Sequence, residues 1–247
     1  MTAMATNAWN IFSRLRIIKI SRPIEPYHQK GVIMTEMRGF IEETITYFEA
    51  PGQQNTEKTL NLALARAEAR GIKKMVLAST RGNTARLAAQ LLAGTDIKMV
   101  VVPHQYGFMR GGQGFPQDLI PELEQLGHRV YFGTMLFHTD DFYGNRSPTI
   151  MAMLLRTICQ GMKVVHEILL MAANGGCVAA GEKVIVITGT GRGADTAVVA
   201  IAATSTRLYD LHITEIICKP LETKSWSLTG GPTPPPAEVK RADTGKP

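Results

Sequence analysis

Cysteine is scarce in this sequence: Cys159, Cys177 and Cys218 stand far apart, odd in number and without a CxxC pair among 247 residues. That pattern excludes a closed disulfide framework and offers no zinc-ligand spacing, so a reducing cytoplasm and a metal-free site are expected. Long apolar runs are missing too. The most apolar stretch, Pro148 to Ala173, is interrupted by Arg156, Lys163, His166 and Glu167. It falls short of the roughly 20 predominantly apolar residues of a membrane span, and reads as buried helix. No GxxxxGK(S/T) loop, GxSxG elbow or Ser/His/Asp order is present, so neither a Walker-type phosphate loop nor hydrolase chemistry is supported. Nor is there a basic run. Net charge is +6, yet residues 43–220 carry 17 basic against 15 acidic residues, and the rest of the surplus lies in the two end segments. Nucleic-acid binding would rest on those ends alone, with steep salt dependence, and is disfavoured.

What is there, 45% hydrophobic and 19% charged residues, suits a globular chain long enough to bury a sizeable core. The opening "MTAMATNAWNIFSRLRIIKISR" holds several bases and no acid, without a secretory apolar core and cleavage site. It reads as a transit-type segment or as an over-extended start, with Met34 or Met37 as the true beginning. From about Thr46, Val/Ile-rich runs alternate with helical patterns. Lys74–Ala78, Lys98–Val102, His128–Gly133, Lys183–Thr188 and His212–Cys218 predict strands covered on both faces. Leu60, Ala63, Leu64 and Ala67 recur at helical spacing between Asn55 as N-cap and Gly71 as stop. Gly94 and Gly127 close two further helices, the second shortened by Pro121. Ser147 with Pro148 opens another, which Gly161 separates from a helix ending at Gly175.

Such alternation implies right-handed crossovers and a mainly parallel sheet, hence a three-layer α/β/α sandwich. Beyond Pro220 the chain turns Pro/Gly-rich and polar, too poor in apolar surface to offset its ordering entropy. Three parts result: an extension over 1–44, an α/β domain over 45–220, and a disordered tail over 221–247.

Two turns carry the chemistry. Ser79, Thr80, Arg81, Gly82, Asn83 and Thr84 lie between a predicted strand and a helix. The first amides of a helix are unpaired and carry partial positive charge, so an anion there satisfies both. Hydroxyls add donors, Arg81 adds a forked charged contact, and Gly82 permits close approach. On the local residues alone, plain helix capping by Thr80 or Asn83 explains the turn equally well. The second turn, Gly189, Thr190, Gly191, Arg192 and Gly193, has the same components; Asp195 after it can cap a helix, bond a ligand hydroxyl or face solvent, and the helix cap is the favoured expectation. The turn's GxGxG spacing, its late position and the placing of Asp210 before the last strand, where an acid at a strand's end is expected, argue against a dinucleotide fingerprint. If both turns open on one edge, they suit a bisphosphate, or a phosphate at one end and a polar group at the other.

Other residues weigh less. His104, Tyr106 and Phe108 follow a predicted strand, where an aromatic can stack on a flat ring and His104 can act as acid or base. Glu49 stands in a turn before a helix. His166 and Glu167 are adjacent and diverge by about 100° on a helix, so they form no joint metal site. Lys163 with Glu167 makes an i, i+4 pair, read as a solvated or half-buried salt bridge. His138, Asp140 and Asp141 read as a loop of solvated charge rather than a metal site, and Cys177 as a buried, inert thiol.

The segments "YFEAPGQQNTEKTLNLALARAEARGIKKMVLASTRGNTA", "PHQYGF", "QGMKVVHEILLMA", "GTGRGADTA" and "EIICKP" together resemble small stand-alone prokaryotic proteins, prominent in archaea, that are related to the carboxyl-terminal domain of pyruvate kinase. The resemblance covers about Thr46 to Pro220. It implies a non-catalytic, regulatory type of domain without the catalytic barrel, hence no pyruvate kinase activity. In many pyruvate kinases the matching Thr/Ser/Gly turn takes a phosphate of fructose 1,6-bisphosphate. Ser79, Thr80, Gly82 and Thr84 stand at those positions, and Gly189 to Gly193 match the second phosphate-side loop. Flavin mononucleotide (FMN) is a ligand that the stand-alone family's pocket looks able to accept. Pro103, where a threonine is usual, and "MLFHTDDFYGNRSPT" depart from the family pattern. The expected function is therefore binding of a phosphorylated small molecule, FMN or a sugar phosphate, with a regulatory or sensor role. The alternative is an enzyme acting on such a compound, with His104 or Glu49 as acid/base. Symmetric self-association is expected on general grounds.

Overall fold

The computed structural model describes residues 39–222; the parts of the expected extension and tail at 1–38 and 223–247 lie outside the described residues. Of the described residues, 43–222 form one unit. Its strands are β1 (Thr46–Phe48), β2 (Lys74–Ala78), β3 (Lys98–Val102), β4 (Arg129–Val130), β5 (Lys183–Thr188), β6 (Thr196–Ile201) and β7 (His212–Pro220). The helices are α1 (Thr56–Arg70), α2 (Asn83–Leu91), α3 (Leu119–Gln125), α4 (Asp140–Tyr143), α5 (Ser147–Arg156) and α6 (Gln160–Asn174).

One sheet runs in the order β1-β7-β6-β5-β2-β3-β4. Neighbours pair in parallel except β6, which is antiparallel to both β5 and β7. Strand side chains alternate between two cores, as a pleated strand requires. Met75, Leu77, Ile185, Ile187, Ala197 and Val199 face one core, which takes apolar residues of α1, α2 and α3. Val76, Val184, Val186, Val198 and Ala200 face the other, filled by Val165, Leu169 and Ala172 of α6. Apolar residues on both faces are what the near-continuous hydrophobic runs predicted.

Several expectations need correction. The chain after Asp195 enters strand β6, not a helix. Its Thr, Val and Ile content suits a pleated surface, and the glycine turn folds it back onto β5 as a hairpin. The strand expected over His128–Gly133 is paired only at Arg129–Val130, because it is the sheet's edge. Asn55 precedes α1, but its amide group donates to Ala50 O at 2.8 Å instead of capping the helix. Ser147 is the first residue of α5 rather than its cap; the Asp140 carboxylate takes the Thr149 amide at 3.1 Å.

The break between α5 and α6 falls at Thr157–Cys159, and Gly161 lies inside α6. Cys159 caps α6, its sulfur accepting from the Met162 amide at 3.3 Å. Gly161 is there because α6 presses on the hairpin: a Cβ would sit 2.1 Å from Thr196 Oγ1. Its carbonyl accepts the Thr188 hydroxyl at 2.9 Å. Gly161→Ala should therefore lower stability by about 1–3 kcal/mol through overpacking, overriding the ~1 kcal/mol that alanine gains over glycine in an unhindered helix. Chemical denaturation of wild type and variant checks this; equal or higher stability would contradict the packing.

Candidate functional site

Chain order along the sheet reverses beside β2. The connection through α2 leads to β3 on one side, whereas the long excursion through α3 to α6 returns to β5 on the other. Ligands of open α/β sheets bind beyond the strand carboxyl ends at such a reversal. The carboxyl ends of β2 and β5 carry the two turns singled out in the sequence, and these strands are direct neighbours.

The first turn joins β2 to the nine-residue helix α2. Gly82 holds the position before the helix with φ 79°, and a Cβ on it would lie 2.7 Å from Leu119 Cδ2, so both conformation and space call for glycine. Ser79, buried, accepts the Ala85 amide on Oγ at 3.3 Å. Capping thus falls to Ser79 rather than to Thr80 or Asn83. Thr80 is half-buried, Thr84 is buried, and Arg81 and Asn83 are exposed. The long loop after β3 folds back here: a Cβ on Gly114 would lie 3.4 Å from the Thr80 carbonyl oxygen.

The second turn is built differently. It connects two strands, and the first residue of α1 packs against it, the Thr56 hydroxyl accepting the Ala194 amide at 3.0 Å. Asp195, fully buried, accepts the Gly52 amide and the Thr190 amide, both at 3.0 Å on Oδ2, and the Thr196 hydroxyl at 2.9 Å on Oδ1. Burial pushes its carboxyl up, while these donors pull it down. The expected helix cap is instead a clasp tying this turn to the β1–α1 loop. Gly193, with φ 73°, closes the join, since a Cβ would lie 2.2 Å from Thr56 Oγ1. Gly191 and Arg192 remain exposed, whereas Gly189 is half-buried and Thr190 is buried.

His104 follows β3 with Nε2 3.4 Å from Thr80 Oγ1. Its ring packs edge-on against Phe108 at 4.8 Å, and Phe108 against His138 at 5.0 Å. Beyond them lies a buried ion pair that the sequence reading placed at or near solvent. Lys163 donates to Glu167, both side chains being 3% exposed. Glu167 also accepts the Phe137 amide at 3.1 Å. Lys163 further contacts His138 Nε2 at 3.1 Å; an ammonium has only protons to give, so Nε2 is the acceptor. Burial lowers the Lys163 ammonium below its ordinary value against the opposing pull of Glu167. Burial first, then the Lys163 charge, brings His138 down to about 4. Burial likewise lowers His104.

Glu49 is exposed at the end of β1, four strands from β2, or roughly 19 Å at usual strand spacing. The carboxylate on the side of His104 is Glu167. Asp140 is engaged at the start of α5, and no cluster of metal-binding side chains occurs among the described residues. Cys177 is buried with its thiol pushed up by burial. Two hollows, of 430 and 240 Å³, lie away from this edge between α5, α6 and the β7 region. Their linings include Leu155, Ile158 and Ile213 but no lysine or arginine, so they suit no phosphate.

The sequence profile of the pyruvate kinase alpha/beta domain matches residues 57–200. This chain belongs to that family. The pyruvate kinase alpha/beta match spans α1 to β6 and so contains both turns, His104, Lys163 and Glu167. Among solved structures, a pyruvate kinase from Cryptosporidium parvum is 13% identical, aligned over 60% of this chain and 22% of its own, with TM-score 0.33. A pyruvate kinase from the same organism in complex with ADP is 13% identical over 59% and 23%, with TM-score 0.31. The chain thus spans less than a quarter of the length of these enzymes. No helix among the described residues is long and apolar enough to cross a membrane.

Two outcomes follow from the charged groups. Asp195→Ala leaves buried donors without a partner and should cost about 2–4 kcal/mol, measurable by denaturation; a loss below about 0.5 kcal/mol would contradict the clasp. His138 has a folded pKa below its unfolded value, so between about pH 6.5 and 4 the unfolded chain holds the extra proton and stability falls as pH falls. His138→Gln should flatten that fall, read as a smaller drop in denaturation midpoint from about pH 7 to about pH 4.5. An unchanged slope would show that His138 is not what titrates.

Proposed function

We propose that this pyruvate kinase alpha/beta family member binds a phosphorylated small molecule at the carboxyl edge of β2 and β5. The observation that carries the reading is the Ser79–Thr84 turn opening α2 at the point where strand order reverses. There the α2 N-terminus, the hydroxyl of Thr80 and the guanidinium of Arg81 supply hydrogen bonds and positive charge for a phosphate. Helix amides stabilise an anion without a covalent step, so binding is the activity this geometry serves. The role is regulatory or sensor-like and does not include pyruvate kinase activity.

FMN is one compound of the right form. His104 Nδ1 is buried and has no hydrogen-bond partner, and beside it Phe108 and Tyr106 are 39% and 59% exposed. A nitrogen to bond and aromatic rings to stack suit a flat heterocycle. FMN, if bound, would supply redox chemistry; the chain's own residues orient it. Sugar phosphates share the cradle but would leave the rings unused. A second reading, an enzyme with His104 as acid/base, draws on the same unpartnered nitrogen, and turnover lost in His104→Ala would favour it.

Thermal unfolding with FMN, fructose 6-phosphate, fructose 1,6-bisphosphate and inorganic phosphate tests the proposal, beside Arg81→Ala. A ligand at a hundred times its dissociation constant should add about 2.7 kcal/mol, raising the midpoint, and Arg81→Ala should remove most of the rise. No rise with any phosphate compound would return both turns to structural roles.

A further inference from the structure

The α5 helix carries apolar residues on the side where a surface helix is ordinarily polar. The expectation of buried helix from Pro148 to Ala173 holds for α6, most of which is buried, whereas α5 fully buries only Ala152. Ile150, Leu154 and Ile158, spaced four apart along α5 and the turn after it, form a ridge on the outer side. Ile150 is 64% and Leu154 69% exposed. Arg156, the one ionisable residue of α5, lies four residues from Ala152 on the inner side and donates to Gln160 at 2.7 Å. A helix that is apolar on its outer face as well as its inner one belongs inside a larger core.

Beside the ridge runs a trough. The hollows of 430 and 240 Å³ share Leu155 and His166, so they adjoin along the flank of α5. Ile213 and Ile216 of β7 line the larger, and Leu208 and Leu211 the smaller. Burial lowers His166, which is therefore neutral near pH 7 and adds no charge. Charged groups beside the trough are matched: Arg207 with Asp210 at 2.6 Å, and Glu215 with Arg66 and Arg70. Asp141 and Arg146, exposed just before α5, are opposite in sign. No surplus charge draws an anionic membrane or a charged peptide to this face.

A ridge and a trough side by side on one chain are self-complementary, because a two-fold axis seats the ridge of each copy in the trough of the other. We infer that this face pairs with the same face of a second copy, the two α5 helices packing antiparallel about an axis at Leu154. Leu154 is the middle of the ridge, so Ile150 then meets the partner's Ile158. With Met151, Phe142 of the adjacent α4 and Tyr209 next to Leu208, the ridge exposes roughly 700 Å² at about 200 Å² per large side chain, close to the ~800 Å² that each partner buries in a stable complex. A soluble monomer rarely leaves so large an apolar patch in water. The contact also backs the candidate site, since Phe137, whose amide donates to Glu167, lines the smaller hollow.

Analytical ultracentrifugation of the full chain tests it, with a dimer expected for wild type at about 100 µM. Leu154→Glu sets two carboxylates together at the axis and should weaken dimerisation about a hundredfold or more, while an exposed position leaves the fold intact. Leu126→Glu, exposed at the end of α3, should stay dimeric. The three native cysteines are buried, so a bismaleimide should join two Leu154→Cys chains and not two Leu126→Cys chains. A dimer that survives Leu154→Glu, or that fails to cross-link through Leu154→Cys, overturns the inference. So does a wild type that stays monomeric, and the rate of maleimide labelling at Leu154→Cys then reassigns the face. Fast labelling leaves it open to a different protein; slow labelling shows it covered by another part of this chain.

Discussion

Parallel neighbours cannot be joined by a tight turn, so the chain leaving β4 must cross a whole face of the sheet before it re-enters as β5. It re-enters beside β2, pairing Met75 with Ile185, Val76 with Val186 and Leu77 with Ile187. The rest of the carboxyl edge depends on that pairing. It sets the second turn against the first, and it lays α6 over β2, β3 and β5, with the Lys163–Glu167 pair on the side of His104. Had β5 paired at the outer edge beside β4, the same two sequences would have formed two unrelated loops.

Burying ionised groups next to a ligand crevice is costly unless each is compensated, and the edge shows how that is done. Asp195 gathers two amides and a hydroxyl from three segments. Glu167 gathers an ammonium and an amide, while the neutral imidazole of His138 takes a further proton of Lys163. Each cluster is closed on itself, whereas Arg81 beside the α2 N-terminus and Arg192 in the second turn are exposed. Rigidity of the second turn, clasped by Asp195 and packed against Thr56 through Gly193, suits a wall more than a moving cover.

Much of the fold was legible. Lys74–Ala78, Lys98–Val102 and Lys183–Thr188 were read with their observed bounds, because strands buried on both faces keep only apolar residues between polar ends. Gly71 ends α1 in the left-handed conformation, as its position predicted. The run after Asp195 was misread because a short apolar segment of six residues has no period long enough to tell strand from helix. Lys163 and Glu167 were recognisable as partners from their i, i+4 spacing. Spacing along one helix says who meets whom; it does not say that Phe137 and His138 close over the pair.

By itself, the sequence determined which segments are strands with two covered faces, where most helices stop, and that one hydroxyl- and arginine-bearing turn opens a helix. These are local matters, fixed by side-chain volume, backbone freedom and the period of apolar residues. Only the tertiary structure decided that the two turns are neighbours, that the second belongs to a hairpin, and that Asp195 clasps rather than caps. It alone brought Thr80, His104 and the Lys163–Glu167 pair to one side of the edge. The physical reason is that strand order and the packing of α6 arise from burying two apolar faces at once. That constraint acts between residues more than a hundred positions apart, and no local pattern records it.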